Sequence, residues 1–287
     1  MRVQVANLQF SYGTKKVLSI SNAEFEQGKI YAIVGRNGVG KTTFFKALTN
    51  IITNYSGQVL INGENVKQNP RVLSRVGIVL DDMELYKNRT GLFNLRYFGG
   101  LRGGFDEARA LKMAHELGIS NDLNQKVSKY SLGMNKKLIL LISLMSDAQI
   151  LIFDEPFRGL DRRSVEWFRN YLLYLKNNNR MILISSHVQE DIEALSDNVL
   201  VLLNGDFVSE FDLRNQAQVF IYQLEVNDKG KFAILLWENR IGFSDQGKFI
   251  EVHLQEEKYK EIFRLAVSQG IEFYQIKKES QFVRFVK

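Results

Sequence analysis

The run Gly35-Arg36-Asn37-Gly38-Val39-Gly40-Lys41-Thr42 has the residue types and spacing to hold a nucleoside triphosphate, in the pattern G-x-x-x-x-G-K-[ST]. Glycines let a backbone turn tightly enough for several N–H groups to converge on anionic oxygens. The start of a following helix adds partial positive charge at the same point. Lys41 is placed to reach the β- and γ-phosphates, and the Thr42 hydroxyl to bind Mg2+. A second group of residues is Asp154-Glu155, two acids at the end of the apolar run Ile150-Leu151-Ile152-Phe153. Ligands of open parallel sheets sit beyond the C-terminal ends of the strands. Neighbouring strand positions point to opposite sides, so one acid can face Mg2+ and the other the reacting phosphate. His187 ends a third apolar run, Arg180 to Ile184 followed by Ser185-Ser186. It would either face the same crevice and hydrogen-bond a γ-phosphate or serve packing. Tyr12, 23 residues before Gly35, would either stack on a base or pack at a turn.

These residues need strands and helices around them. Ile30 to Val34 reads as the buried strand entering the loop, and Thr42 to Leu48 as the helix leaving it. Val3 to Phe10 and Val17 to Phe25 alternate as strands around Ser11-Tyr12-Gly13-Thr14, and Gly57 to Glu64 reads as a hairpin. Arg75 to Leu80 is a buried strand ending in Asp81-Asp82. From Thr90 to Leu144 the pattern is mostly helical, with Asp106 capping a helix that stops at Gly118. Tyr130 to Met134 reads as a small-residue loop ahead of a helix from Asn135 to Met145. The helix Val165 to Leu175 follows Gly159-Leu160-Asp161, and Glu190 to Leu195 is a short one. Val199 to Leu203 and Phe207-Val208 form a hairpin.

The pattern changes near 212–218. Val219 to Val226, Lys231 to Trp237, Ile241 to Phe243, Lys248 to Leu254, Glu256 to Ser268 and Ile271 to Ile276 give the order β-α-β-β-α-β. A further short strand is expected at Phe282 to Val286. No chemistry stands out in this part. His115 and His253 have no partners at ligand spacing and read as structural or exposed.

The chain has 287 residues, 45% apolar and 24% charged, as ordinary globular proteins do. It has no cysteine, which excludes disulfides and Cys-based metal sites. The opening Met1-Arg2-Val3-Gln4-Val5 reads as an alternating strand rather than a signal peptide. The apolar run Leu138 to Met145 is far too short to span a bilayer. The net charge of +6 is mild, and residues 212–287 balance 12 Lys/Arg against 11 Asp/Glu, so no nucleic-acid partner is expected.

Taken in order, residues 1–211 resemble the nucleotide-binding subunit of an ATP-binding-cassette (ABC) transporter. The likeness rests on Tyr12, the loop 35–42, and Val76 to Leu95, which resembles the Q-loop region. It rests further on Tyr130 to Met134 as signature loop, Asp154-Glu155 as Walker B pair, Gly159-Leu160-Asp161 as D-loop and His187 as switch histidine. The resemblance implies an α/β phosphate-loop NTPase of ABC type. Its parts would be a RecA-like core, an antiparallel β subdomain and a helical subdomain at about 90–145, with a small α+β domain at 212–287. It implies ATP and Mg2+ as ligands, held by Tyr12, Gly35, Asn37, Gly38, Gly40, Lys41, Thr42, Thr43, Asp154 and Asp81. Glu155 would be the general base and His187 would position the attacking water, with Lys41 on the phosphates. Ser131 and Gly133 would bind the γ-phosphate of ATP held by another copy or a sister subunit, so each site would be composite.

The departures are Asp81 where the family's Gln stands, Leu132 where Gly is commonest and Met134 where Gln is commonest. Asp81 can hold Mg2+ through water. Ser-x-Gly-Met is similar to the ABC-2-type exporters. That similarity implies a peripheral ATPase on the cytoplasmic face of the membrane, docked on a separate permease and exporting peptides or antibiotics. A non-transport ABC ATPase and an ATP-binding switch are the competing expectations.

Overall fold

The computed structural model describes residues 1–101, 105–215 and 218–285. The chain divides into two units, Met1–Phe211 and Asp212–Lys287.

In the first unit, β1 (Arg2–Tyr12) and β2 (Lys15–Glu26) alternate buried and exposed positions, as strands with one covered face must. β3 (Ile30–Val34) is buried along its whole length and leads into α1 (Lys41–Leu48). β4 (Ser56–Ile61) and β5 (Glu64–Asn65) make the hairpin, and β6 (Val76–Val79) follows. β1 pairs antiparallel with β2 on one side and β4 on the other, giving the sheet β2-β1-β4-β5.

Next come α2 (Gly91–Gly100), α3 (Glu107–Glu116) and α4 (Leu132–Leu144). Each has an oxygen-bearing N-cap: Thr90 accepts from the Phe93 N–H, Asp106 from Arg109 and Ser131 from Met134. The Ser131 cap corrects the expected helix start at Asn135. Leu132, Gly133 and Met134 are the first turn of α4, because the hydroxyl closes that turn. The Arg109 guanidinium of α3 donates to the Tyr171 hydroxyl, and Trp167 donates to Glu116. These bonds tie the helical segment to the core.

β7 (Ile150–Asp154), α5 (Arg162–Asn177), β8 (Met181–Ser185), α6 (Gln189–Leu195), β9 (Asn198–Leu203) and β10 (Asp206–Asp212) complete the unit. β7 and β8 are buried at every position, which is why they read as continuous apolar runs. The second sheet has the order β10-β9-β3-β8-β7-β6, with β9, β3, β8, β7 and β6 parallel. Helix α1 lies in the core shared by both sheets. Phe44 meets Phe207 edge-on at 5.1 Å and Phe25 at 6.2 Å. The parallel strands therefore deliver Val34, Asp154 and Ser185 to one edge, beside the first turn of α1.

The second unit contains β11 (Val219–Val226), α7 (Lys229–Glu238), β12 (Phe243–Gln246), β13 (Phe249–Gln255), α8 (Glu256–Ser268) and β14 (Phe273–Ser280). The sheet order is β12-β13-β11-β14, antiparallel throughout. Tyr222 and Tyr259 stack in its core at 3.9 Å. The strand expected at Phe282 to Val286 is instead a 3-10 turn over Gln281–Phe285, and Val286 lies outside the described residues. Phe282 and Val283 are both buried from that turn. The short strand expected at Ile241 to Phe243 begins only at Phe243, and Ile241 packs in the core. Among the described residues, no helix is long and apolar enough to cross a membrane.

Candidate functional site

The loop 35–42 owes its shape to glycines at two positions in particular. Gly35 has φ +153°, and a Cβ there would stand 2.4 Å from the Leu202 carbonyl oxygen. Gly40, the N-cap of α1, has φ +117° and brings no side-chain cap, so the first N–H groups of α1 are left for another acceptor. The Lys41 ammonium is folded back and donates to the Gly35 carbonyl at 2.7 Å. Burial lowers its pKa, and the nearby Glu155 and Asp154 carboxylates act against that fall.

Asp154 is buried at the end of β7 and accepts two hydroxyls. Thr42 Oγ1 donates to Oδ2 at 2.5 Å, and Ser185 Oγ donates to Oδ1 at 2.6 Å. Ser185 also accepts the Glu155 N–H at 2.9 Å. One hydroxyl at the end of β8 thus orients both acids. The expected alternation along a strand is not what separates them. β7 stops at Asp154, and Glu155 turns into the left-handed region at φ +46°, which a non-glycine residue adopts only under strain. The Glu155 carboxylate then lies 2.9 Å from His187 Nδ1.

A cleft of about 340 Å³ opens beside these groups; Gly35, Ser185 and His187 adjoin it through their partners but do not line it. Tyr12, Asn37, Gly38, Gly40, Lys41, Thr42, Thr43, Asp81, Asp154 and Glu155 all line it, as do Lys15 and Arg158. Tyr12 is 55% exposed at the end of β1, its ring held edge-on by Phe10 at 4.7 Å. Ser131 and Gly133 do not line this cleft. They begin α4, where Ser131 lines a separate recess that shares only Asp81 with it. Gly133 is fitted closely there, since a Cβ would come 2.8 Å from the Gly159 carbonyl. Asp81 is engaged twice: Lys136 donates to Oδ1 at 3.3 Å and Arg158 to Oδ2 at 2.9 Å.

Sequence reasoning missed Ser185 and Arg158 as site residues. The signal for Ser185 was a hydroxyl closing an apolar run that ends beside the two acids. Arg158 offered only a cation within the stretch from Asp154 to Asp161.

The arrangement suits a magnesium-bound triphosphate. The cradle has unclaimed helix N–H groups and a buried cation. The Thr42 hydroxyl and Asp154 carboxylate form an oxygen donor set fitted to a small hard cation. Glu155, beside an imidazole, is placed to take a proton.

A family model described as ABC transporter matches residues 18–158. The chain is 33% identical to the bacitracin transport ATP-binding protein BcrA of Enterococcus faecalis, over 85% of this chain and 80% of that protein. It is 31% identical to the lantibiotic transport ATP-binding protein SrtF of Streptococcus pyogenes, over 72% of this chain and 90% of that protein. A solved structure of the ATP-binding subunit of an ABC transporter superposes with a TM-score of 0.68. It covers 74% of this chain and 90% of that one at 24% identity, a likeness of fold.

Proposed function

The chain belongs to the ATP-binding proteins of the ABC transporter family, and from that premise we propose that it powers export of a peptide antibiotic through a separate permease at the cytoplasmic face of the membrane. The observation that carries the hydrolytic part is the contact of Thr42 and Ser185 with Asp154 beside the Glu155–His187 pair. Loop N–H groups and Lys41 would hold the triphosphate of ATP, with Tyr12 against the base. Thr42 and Asp154 would hold Mg2+, which, when bound, supplies positive charge beside the phosphate oxygens. Glu155 accepts the proton of the attacking water, and His187 holds that carboxylate and helps position the water at the γ-phosphate. Ser131 and Gly133 lie outside the chain's own cleft, which supports a role on ATP held by a second copy or a sister subunit.

The peptide class comes from the names of the two relatives, whose substrates are bacitracin and lantibiotics. The test is survival of permease-expressing cells in bacitracin or a lantibiotic. The wild-type chain protects and Glu155→Gln does not. Equal survival with both chains would refute the proposal.

A further inference from the structure

We propose that Asp81 is a positioning residue that clasps the N-terminal part of α4 to the turn following Asp154-Glu155. Its two carboxylate oxygens face different cations on different elements. Lys136 lies one turn into α4 and is only 6% exposed, and Arg158 lies on the turn leaving β7. A buried ammonium without its carboxylate would be left unpaired at a large cost, so Lys136 holds Asp81 firmly. Arg158 shares the carboxylate from the open side of the cleft.

Two neighbouring contacts align with the same purpose. Lys137 pairs with Asp161 at 2.6 Å, and Gly133 sits against the Gly159 carbonyl. Successive lysines of α4 therefore reach an acid after β6 and the acid that ends the turn carrying Glu155. Asp82, next in the chain, pairs with Lys46 of α1 at 2.8 Å. The tandem acids after β6 thus link α1, α4 and the turn after β7. Ser131 and Gly133 are fixed relative to Glu155 by this link.

The charge of Asp81 is what the clasp needs. A glutamine at this position keeps an oxygen for a metal but loses both ion pairs, so the two roles separate on substitution. The effect on turnover rests on the hydrolytic function proposed above, whereas the effect on geometry does not.

Because the chain has no cysteine, spin labels can be placed unambiguously at Lys16→Cys on β2 and Lys126→Cys before α4, both exposed positions. Without nucleotide, a single narrow distance is expected, broadened by Asp81→Asn, Asp81→Gln and Lys136→Met and kept by Asp81→Glu. The double variant Asp81→Asn/Lys136→Met, which leaves no buried charge, should be no broader than either single one. In steady-state hydrolysis the same three variants should lose kcat roughly tenfold, with the Mg2+ concentration for half-maximal rate unchanged. Narrow distances in Asp81→Asn would overturn the clasp. So would a raised Mg2+ requirement relieved by Asp81→Gln, which would make Asp81 a metal-site residue. A wild-type chain that hydrolyses no ATP would refute the hydrolytic function while the distances still decide the clasp.

Discussion

His187 Nδ1 lies 2.9 Å from Glu155 Oε2, across the ends of β8 and β7. The pair joins two strands whose register already sets Asp154 opposite Ser185. His187 is half exposed, so its ring is oriented by this contact more than by packing. Replacing it by Ala should leave ATP binding intact and lower kcat on the order of 10²-fold, the usual consequence of misplacing a reacting group. Steady-state kinetics that show a raised KM with unchanged kcat would place His187 in binding instead.

The two loop glycines should differ in their response to Ala. Gly35→Ala drives a methyl against the Leu202 carbonyl and should cost about 3 kcal/mol. At Gly38, φ is +77° but nothing lies within 4 Å of the added Cβ, so the cost should be about 1 kcal/mol of backbone strain. Urea denaturation of the two variants checks the order. Equal midpoints would mean that the loop is not packed against β9.

Asp161 caps α5 and pairs with Lys137, and the Lys137 ammonium, helped by the Ser164 N–H, lowers its carboxyl to about 2 from 3.8. A carboxyl lowered on folding stabilises the fold above its unfolded pKa, and that contribution is lost as pH falls through the folded value. The side chain is 56% exposed, so water screens the pair and the contribution stays below about 1 kcal/mol. Thermal midpoints of the wild type and Asp161→Asn should differ by a constant amount from pH 7 to 5. The gap should then shrink between about pH 4 and 2. A gap that widens in acid would contradict the ion pair.

If sites are composite, defects on opposite sides should complement. Chains carrying Ser131→Arg and chains carrying Glu155→Gln should each be inactive alone. Mixed, they form dimers in which one site has both defects and the other has none. Phosphate release from the mixture should recover part of wild-type activity. No recovery at any ratio would mean that Ser131 does not serve a neighbouring chain.

Much of the site was legible because its chemistry lies in contiguous segments. The loop 35–42 and the pair Asp154-Glu155 follow strands buried on both faces, which read as unbroken apolar runs. The partners of Asp81 were not legible, since they lie 55 and 77 residues away and are brought near by the packing of α4 on β6 and by the pairing of β6 with β7. Ser185 was hidden for the same reason, its two acids being a strand away. The start of α4 was read late because Leu132-Gly133 resembles a flexible turn, whereas the Ser131 cap makes it helical. At Phe282-Val283 a short apolar pair reads equally as a strand or as a buried turn, and the chain forms the turn.

Release of phosphate from ATP and Mg2+ by the purified chain, wild type against Glu155→Gln, tests the central claim most directly. The wild type should release phosphate. The variant should bind ATP equally well and release it about 10²- to 10⁴-fold more slowly, the usual contribution of a general base. Equal rates, or a wild-type chain that binds no ATP, would contradict the assignment of Glu155 and the site built around it.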